Sequence, residues 1–274
     1  MRLSNSRPKE WTRYYRFGPS IDALHARFVT HQYPRHAHEY FVIGLIESGV
    51  QSFWYRGARH ETPAGSIFLV DPEEPHTGET ATPTGYVYRT LYPRVEDLVR
   101  IATDVGVRAK APSFKKAVIQ DRLLAKLLFE FHRRLAHPCA AIECEFYFLR
   151  AMERLLTVHA DPRISERSTG WARPAIRRAR DFLEASFATD ISLSQLAEEV
   201  GLSPYYLART FQREIGLPPH TYLENVRVRK AQELLRRGES LAGVAFAAGY
   251  SDQSHLTHRF KRFLGITPGQ YASL

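Results

Sequence analysis

The sequence has few cysteines and lacks any long apolar run. Only two cysteines occur in 274 residues, Cys139 and Cys144. They lie five residues apart in a helical pattern and would not face each other, which argues against a disulfide-stabilised secreted protein. No run of about 18 apolar residues is present, and Met1–Tyr15 lacks the apolar core of a secretory signal. We therefore expect a reduced, cytoplasmic protein that does not bind membranes.

The composition also lacks the extremes that mark disordered or fibrous chains. Apolar residues make up 44% and charged residues 24%, and the length is sufficient for two domains. The formal net charge of +9 suits a polyanionic partner such as a nucleic acid. Residues 1–170 carry a net charge of +5 and residues 171–274 one of +4. Charge alone therefore does not indicate which half of the chain would bind a nucleic acid.

The first third of the chain has the pattern of short β-strands. Between Ile21 and Tyr92, runs rich in Val, Ile, Phe and Tyr alternate with turn residues. The candidate strands are Ala23–Thr30, Tyr40–Glu47, Gln51–Tyr55, Ser66–Val70 and Tyr86–Leu91. Breaks are predicted at Ser48-Gly49, at Arg56-Gly57, around Gly65 and from Asp71 to Pro75. Strands this short and closely spaced predict a small antiparallel barrel or sandwich.

Helical periodicity follows the strands. Val95–Val105 is predicted to be a helix, and Ile119–Ala136 and Ile142–His159 place apolar residues three and four apart, as in a helical hairpin. The hairpin has two interpretations, packing against the barrel or forming the seam of a homodimer. The polar stretch Asp161–Gly170 is the best linker candidate. We therefore expect one domain at residues 1–165 and a second at residues 171–274.

The last 85 residues contain an internal repeat. Leu193, Leu196, Ala197 and Gly201 recur 48 residues later as Leu241, Val244, Ala245 and Gly249. Leu207, Phe211, Gly216, Pro219 and Tyr222 recur 49 residues later as Leu256, Phe260, Gly265, Pro268 and Tyr271. Each unit has a helix, a glycine turn and a second helix, which predicts two helix-turn-helix units.

Capping residues and a connecting helix complete this arrangement. Ser192 and Ser203 are predicted to cap the two helices of the first unit, and Ser251 the second helix of the second unit. A helix over Pro219–Arg237 would hold the units apart. If that separation is about one DNA turn, roughly 34 Å, both second helices can enter successive major grooves.

Helical geometry selects the side chains that face away from the core in each second helix. These are Tyr205, Tyr206, Arg209 and Arg213 in the first unit and Ser254, His255, His258 and Arg262 in the second. Arg209 is the strongest candidate because arginine pairs bidentately with guanine. Lys261, Arg262 and donors at the helix starts are expected to anchor phosphates. Arg227, Arg229 and Lys230 could do the same or form ion pairs instead.

The residues Ser192–Ala272 resemble the DNA-binding domain of the AraC/XylS family of bacterial transcription regulators. The stretches that carry the resemblance are LSQLAEEVGLSPYYLARTFQREIG, RVRKAQELL and VAFAAGYSDQSHLTHRFKRFLGITPGQY. The resemblance implies sequence-specific binding to double-stranded DNA and control of transcription, usually activation through contact with RNA polymerase. Many family members have arginine where this chain has His258, so the second unit is expected to read fewer bases and anchor more phosphates.

Residues Tyr33–Glu79 are similar to the cupin-like sensor domain that often precedes this DNA-binding domain. The segments His36-x-His38, Gly49, Pro63–Ser66 and Asp71–His76 carry the similarity. The resemblance implies an α+β chain, with a cupin-like β-barrel and a helical hairpin followed by an all-α tandem helix-turn-helix domain. A small-molecule effector would bind in the barrel.

The expected effector-binding residues are His36, His38, Tyr40, Trp54 and His76, with Tyr55, Tyr86 and Tyr88 as further candidate walls. His36 and His38 share one face of a strand, which Tyr40 would join. The three histidines could line a pocket or bind a divalent metal. The position four beyond His38 is Val42 rather than a carboxylate, so we expect no required cofactor, and a metal stays an alternative.

The sequence thus predicts an effector-controlled, sequence-specific transcription regulator, most simply an activator, with no catalytic residues. Two alternatives remain. One is a metal-dependent cupin enzyme fused to a DNA-binding domain, and the other is a non-specific architectural DNA-binding protein.

Overall fold

The computed structural model describes residues 9–18, 20–104, 112–136, 141–161 and 174–274. Contacts divide the chain into two compact units, residues 1–32 with 39–166 and residues 33–38 with 167–274. The predicted division assigned Tyr33–His38 to the first domain, whereas contacts group this segment with the second unit. Apart from Asp161, the predicted linker lies outside the described residues.

Within the described residues there are nine strands, and the eight that belong to the first unit form one sheet. The nine strands are β1 (Trp11–Phe17), β2 (Ile21–Phe28), β3 (Tyr33–His36), β4 (Val42–Tyr55), β5 (Ala58–Pro63), β6 (Ile67–Val70), β7 (His76–Thr80), β8 (Tyr86–Tyr92) and β9 (Val118–Ile119). The order along the main path is β1-β2-β8-β4-β6-β9, while β5 and β7 pair with β4. The long strand β4 is antiparallel to β5, β6, β7 and β8.

The break predicted at Ser48-Gly49 is wrong, because β4 runs without interruption from Val42 to Tyr55. The turn-forming residues mark a β-bulge instead, since the pairing with β8 shifts between Ile46 and Ser48. Gly49 has a φ of 74°, and a Cβ atom there would collide with the carbonyl oxygen of Gly85. The bulge shifts the alternation of side chains by one residue, which reverses the faces of the second half of β4.

The strand prediction missed β1, β3, β5, β7 and β9. Both β5 (ARHETP) and β7 (HTGET) are rich in polar residues, which weakens the β signal of their sequences. The residues of β1 pair with β2 along its whole length. Pairing with neighbouring strands, rather than composition, therefore decides that these segments are strands.

Three helices cover one face of the sheet: α1 (Val95–Asp104), α2 (Arg122–Leu135) and α3 (Ala141–His159). Their apolar stripes share one buried cluster with the sheet; it includes Ile43, Leu45 and Leu91 from the strands, Leu124, Leu128 and Phe131 from α2, and Met152 and Leu155 from α3. The interpretation that the hairpin packs on the barrel is therefore confirmed.

Asp121 is the N-cap of α2, which begins at Arg122, three residues after the predicted start at Ile119. Its carboxylate accepts hydrogen bonds from the Leu124 N–H at 3.0 Å, from Arg154 Nε at 3.0 Å and from His159 Nε2 at 2.9 Å. Burial alone would raise the pKa of Asp121, but these hydrogen bonds outweigh it and lower the pKa to about 2. One carboxylate thus joins the start of α2 to α3.

The second unit is helical apart from the short segment β3. Its helices are α4 (Pro174–Ala185), α5 (Leu193–Glu199), α6 (Pro204–Ile215), α7 (Pro219–Arg236), α8 (Leu241–Ala247), α9 (Gln253–Leu264) and α10 (Pro268–Ala272). At 1.5 Å per residue, the 18-residue helix α7 spans about 27 Å. Among the helices described, none combines the length and apolarity required to cross a bilayer.

Candidate functional site

The first helical pair, α5 and α6, is built from local signals in the sequence. Ser192 caps α5, because the Gln195 N–H donates to its Oγ at 3.1 Å and the Ser192 N–H donates to Gln195 Oε1 at 2.8 Å. Gly201 makes the turn with a φ of 68°. Ser203 caps α6, accepting from the Tyr206 N–H at 3.3 Å. Both predicted caps and the glycine turn are confirmed.

The second pair, α8 and α9, repeats this geometry with one difference. The cap of α9 is Asp252, which accepts from the His255 N–H at 2.8 Å, so the prediction of Ser251 is wrong. Ser251 instead donates its hydroxyl to Asp252 at 3.0 Å. The His255 N–H, in particular, lowers the pKa of Asp252. The start of α9 therefore carries a carboxylate, and the His255 N–H is not available to a phosphate.

Buried anchors direct the opposite faces of α6 and α9 outward. Leu207 and Phe211 of α6 and Leu256 and Phe260 of α9 have no exposed surface. The exposed side chains are Tyr206, Arg209 and Arg213 of α6 and Ser254, His258, Lys261 and Arg262 of α9. The side chain of Tyr205 lies outside the described residues. The two helices thus present basic and polar surfaces of the kind that contact DNA.

His255, the remaining predicted DNA contact, makes contacts within the protein. It is half-buried, and its ring lies 5.2 Å from that of Tyr250, measured between centroids. Its Nε2 lies 3.3 Å from Arg259 Nε, and its Nδ1 lies 3.3 Å from Ser251 Oγ. These contacts orient the His255 ring on α9, and its contact with DNA stays a prediction.

The cations of the connecting helix α7 form contacts within the protein. Arg229 pairs with Glu184, and Lys230 Nζ lies 3.0 Å from Glu233. Arg227 donates to two backbone carbonyls, at 2.8 and 2.9 Å. Of the two interpretations of these residues, intramolecular pairing is the one that the structure supports.

The three predicted histidines fall in different units, since His36 and His38 belong to the second unit and His76 to the first. The ring centroids of His36 and His38 are 5.5 Å apart. His36 Nδ1 is 2.7 Å from the Pro34 carbonyl, and His76 Nδ1 is 3.0 Å from the Glu74 carbonyl. Because a carbonyl only accepts, both Nδ1 atoms carry a proton. The binding of a divalent metal by the three histidines stays a prediction.

Two predicted effector residues lie elsewhere. Tyr40 follows the end of β3, bridges to Arg94 and places its ring 5.4 Å from that of Tyr92, so it does not extend the row of His36 and His38. Trp54 is 52% exposed, whereas its neighbours Phe53 and Tyr55 are buried. The expectation that Trp54 lines the interior is corrected, because the bulge in β4 turns odd-numbered residues inward beyond it.

Aromatic rings line the interior of the sheet. Ring centroids are 5.8 Å apart for Phe53 and Phe68, and 6.3 Å apart for Phe68 and Tyr88. Two polar side chains that the sequence reasoning missed share this interior face, Gln51 and Thr62, which are 4% and 0% exposed. Within the described part of the chain, Gln51 Oε1 and Thr62 Oγ1 have no hydrogen-bond partner. The alternation of inward-facing residues along the strand, from Tyr55 through Phe53 to Gln51, is the sequence signal that could have identified Gln51.

These two units define a class of protein, a helix-turn-helix transcription regulator with an N-terminal ligand-binding domain. Residues 18–156 match the family described as "AraC-like ligand binding domain", and residues 196–273 match one described as "Helix-turn-helix domain". The chain belongs to the AraC family of transcription regulators. The predicted family and fold class are confirmed.

Curated relatives extend over most of the chain. It is 29% identical to the uncharacterized HTH-type transcriptional regulator YbfI of Bacillus subtilis (strain 168), over 86% of each chain. It is 26% identical to the HTH-type transcriptional activator RhaS of Klebsiella pneumoniae (strain 342), over 94% of each chain. Both relatives are named as regulators of transcription.

Solved structures share the fold at low identity. Apo ToxT from Vibrio cholerae strain SCE256 has a TM-score of 0.54 and 11% identity, over 99% of both chains. Wild-type ToxT from the same strain, bound to an unsaturated fatty acid, has a TM-score of 0.51 and 13% identity, over 99% of this chain and 97% of that one. At this identity the likeness establishes the fold alone.

Proposed function

We propose that this protein activates transcription from a specific operator when a small-molecule effector binds inside the N-terminal sheet. The observation that carries the proposal is the pair of helix-turn-helix units whose outer helices expose Arg209 and His258. The relative RhaS, named as an activator, supports the sign of control. The protein is proposed to act without catalysis, through contact with RNA polymerase.

The first unit reads bases and the second mainly anchors the duplex. Arg209 is exposed on α6 and has the geometry for bidentate pairing with guanine. His258 occupies the equivalent position of α9, and a neutral histidine makes fewer and weaker contacts with DNA than arginine does. Lys261 and Arg262 then supply charge to phosphates.

In vitro transcription and footprinting test this function. With purified RNA polymerase and an operator found by footprinting, the protein should raise the transcript level when effector is present. Specific affinity should exceed affinity for random DNA by about 10³-fold or more. Equal affinity for both DNAs would favour the architectural alternative, and lowered transcription would reverse the sign of control.

Gln51 and Thr62 are proposed to recognise the effector. Each places a buried oxygen without a partner among the described residues on an aromatic-lined face. Such a buried oxygen is costly unless a donor reaches it. The effector class that fits is a small molecule with an apolar or aromatic body and a hydroxyl or amine group.

Thermal-shift screening with hydroxylated and amino-substituted aromatic compounds tests this assignment. A compound that raises the melting temperature of the wild-type protein should lose that effect with Gln51→Leu. Trp54→Ala, whose side chain is on the outer face, is the control and should respond like the wild type. A shift that survives Gln51→Leu unchanged would remove this residue from the effector site.

A divalent metal held by His36, His38 and His76 is a second proposal, favoured because His36 and His76 each direct Nδ1 to a backbone carbonyl, as metal-ligating imidazoles do. When bound, the metal would supply a Lewis-acidic position for an anionic or polar effector group. The metal content of purified protein, and Zn²⁺ or Ni²⁺ binding to the metal-free form, test this site. We expect one equivalent for the wild type and for the exposed control His220→Ala, and a loss with His76→Ala. The absence of stoichiometric binding of either metal would exclude the site.

The protein is further proposed to form a homodimer through α3. Phe146 and Leu149 lie one helical turn apart and are 55% and 49% exposed. Sedimentation should show a dimer that Phe146→Asp dissociates. A wild-type monomer at micromolar concentration would exclude it.

A further inference from the structure

Arg227 joins the connecting helix α7 to the loop that precedes the first helix-turn-helix unit. Its Nε donates to the Phe187 carbonyl at 2.8 Å, and its Nη2 donates to the Thr189 carbonyl at 2.9 Å. Only 12% of its side chain is exposed. The planar guanidinium holds both carbonyls at once, which the single ammonium of lysine does not reproduce.

Glu224 continues the connection from α7 to α9. It lies one turn before Arg227, with Oε1 3.8 Å from Arg227 Nη1, and its Oε2 is 3.4 Å from Arg259 Nε on α9. Arg259 in turn contacts His255, one turn earlier on that helix. Only 18% of the Glu224 side chain is exposed. Burial, then the neighbouring Glu224 charge, raises the pKa of the Tyr250 hydroxyl.

The same loop also touches the turn of the second unit. A Cβ atom on Gly249 would stand 2.8 Å from the Ala188 Cα and 2.9 Å from the Phe187 carbonyl oxygen. Ala188 lies between the two residues whose carbonyls Arg227 holds. The loop 187–189 is therefore clamped between Arg227 on one side and the turn before α9 on the other.

We propose that Arg227 is a positioning residue that, through Glu224 and Arg259, sets the separation of the recognition helices α6 and α9. The inference rests on the proposed function, in which both helices contact one duplex. Each base pair changes the separation of two sites by about 3.4 Å and rotates one about the axis relative to the other. A rigid connection therefore selects a single spacing between the two DNA subsites.

The polar connection fits this role because its contacts are directional. Apolar packing between helices tolerates small sliding movements, whereas two hydrogen bonds from one guanidinium define both distance and orientation. Arg227 directs its donors into the protein, so we assign it to positioning rather than to contact with DNA.

In vitro selection from random duplex DNA, using the full chain, tests the inference. The wild-type protein should enrich two subsites with one fixed spacing. Arg227→Met should enrich the same subsite sequences with several spacings. Its preference for the wild-type spacing over spacings changed by one base pair should fall about tenfold, within the range of coupling between sites. A general loss of stability would lower affinity without broadening the spacing.

Lys230→Met is the matched control, because it also removes one positive charge from α7 but breaks a pair that stays within that helix. It should keep the single spacing. Glu224→Gln retains the side-chain volume and should broaden the spacing in the same direction, which keeps the test valid if Arg227→Met fails to fold. If Arg227→Met and Glu224→Gln both fold and both enrich a single spacing, the inference is overturned while the proposed function is not. Failure of the wild type to enrich any sequence would overturn the proposed function as well.

Discussion

Gly249 lies so close to Ala188 that a Cβ atom at position 249 would stand 2.8 Å from the Ala188 Cα. Its φ of 79° is in the left-handed region that favours glycine. The repeat-related Gly201 has a φ of 68° but nothing within 4 Å of the equivalent Cβ position. One glycine is thus required for its backbone conformation alone, and the other for conformation and space.

Alanine at the two positions should therefore have different effects. Gly201→Ala should cost about 1 kcal/mol through strain in the left-handed conformation. Gly249→Ala should cost about 2–4 kcal/mol, because the overlap with backbone atoms adds to that strain. Hydrogen exchange of α8 and α9 in the full chain measures the difference. Equal loss of protection in both variants would show that the contact with Ala188 is not restrictive.

Arg209→Ala should weaken binding to the operator by about 1–3 kcal/mol and leave affinity for random DNA nearly unchanged, since base contacts carry the specificity. Lys261→Ala should instead weaken binding to the operator and to random DNA alike. It should also reduce the slope of log affinity against log salt concentration by about 1, since phosphate contacts release counterions. Fluorescence anisotropy at several salt concentrations measures both. If Arg209→Ala lost as much affinity for random DNA as for the operator, the role of Arg209 in base reading would be contradicted.

Asp121→Asn should destabilise the first unit in a pH-dependent way. The pKa of Asp121 is about 2 in the folded protein, below its ordinary value of 3.8. The carboxylate therefore stabilises the fold above pH 4 by about 2 kcal/mol, and this contribution is lost as the pH falls from about 4 to about 2. Urea unfolding of both proteins at pH 7 and near pH 2.5 should show the difference shrinking. A constant difference would mean that packing, not charge, is responsible.

His132 should make the first unit less stable in mild acid. Burial, followed by the positive charges of Arg89 and His25, lowers its pKa well below the ordinary 6.5. The unfolded chain therefore takes up a proton below pH 6.5 that the folded chain does not. Stability falls by about 1.4 kcal/mol per pH unit in that range.

His132→Gln removes this proton uptake and should flatten the fall in melting temperature between pH 7 and pH 5. His220→Gln, an exposed substitution in the second unit, is the control and should follow the wild type. If His132→Gln and the wild type lose stability in parallel, the proton is taken up by other groups.

Local signals were sufficient for the helical half of the molecule. Ser192 and Ser203 are caps in the structure as predicted, since capping involves residues three apart in sequence. At α9 the same reasoning chose Ser251 over Asp252, because either residue can cap and the sequence does not show where the first helical residue falls.

The sheet depended on information that lies far apart in the chain. Trp54 faces outward and Gln51 inward because one bulge, at the pairing of β4 with β8, reverses the faces of the strand. The polar strand β7 was not recognised, since its pairing with β4 rather than its own composition makes it a strand. Tyr40 does not continue the strand of His36, because β3 ends at His36 and Tyr40 bridges to Arg94 instead.

The amino-acid sequence by itself determined the repeated helical units, their caps and glycine turns, and the outward faces of α6 and α9. These features follow from interactions between residues within about four positions of each other. Only the tertiary structure decided which strand residues face the interior and that Arg227 holds the loop 187–189. Those arrangements depend on contacts between residues some 40 positions apart, which a local pattern does not encode.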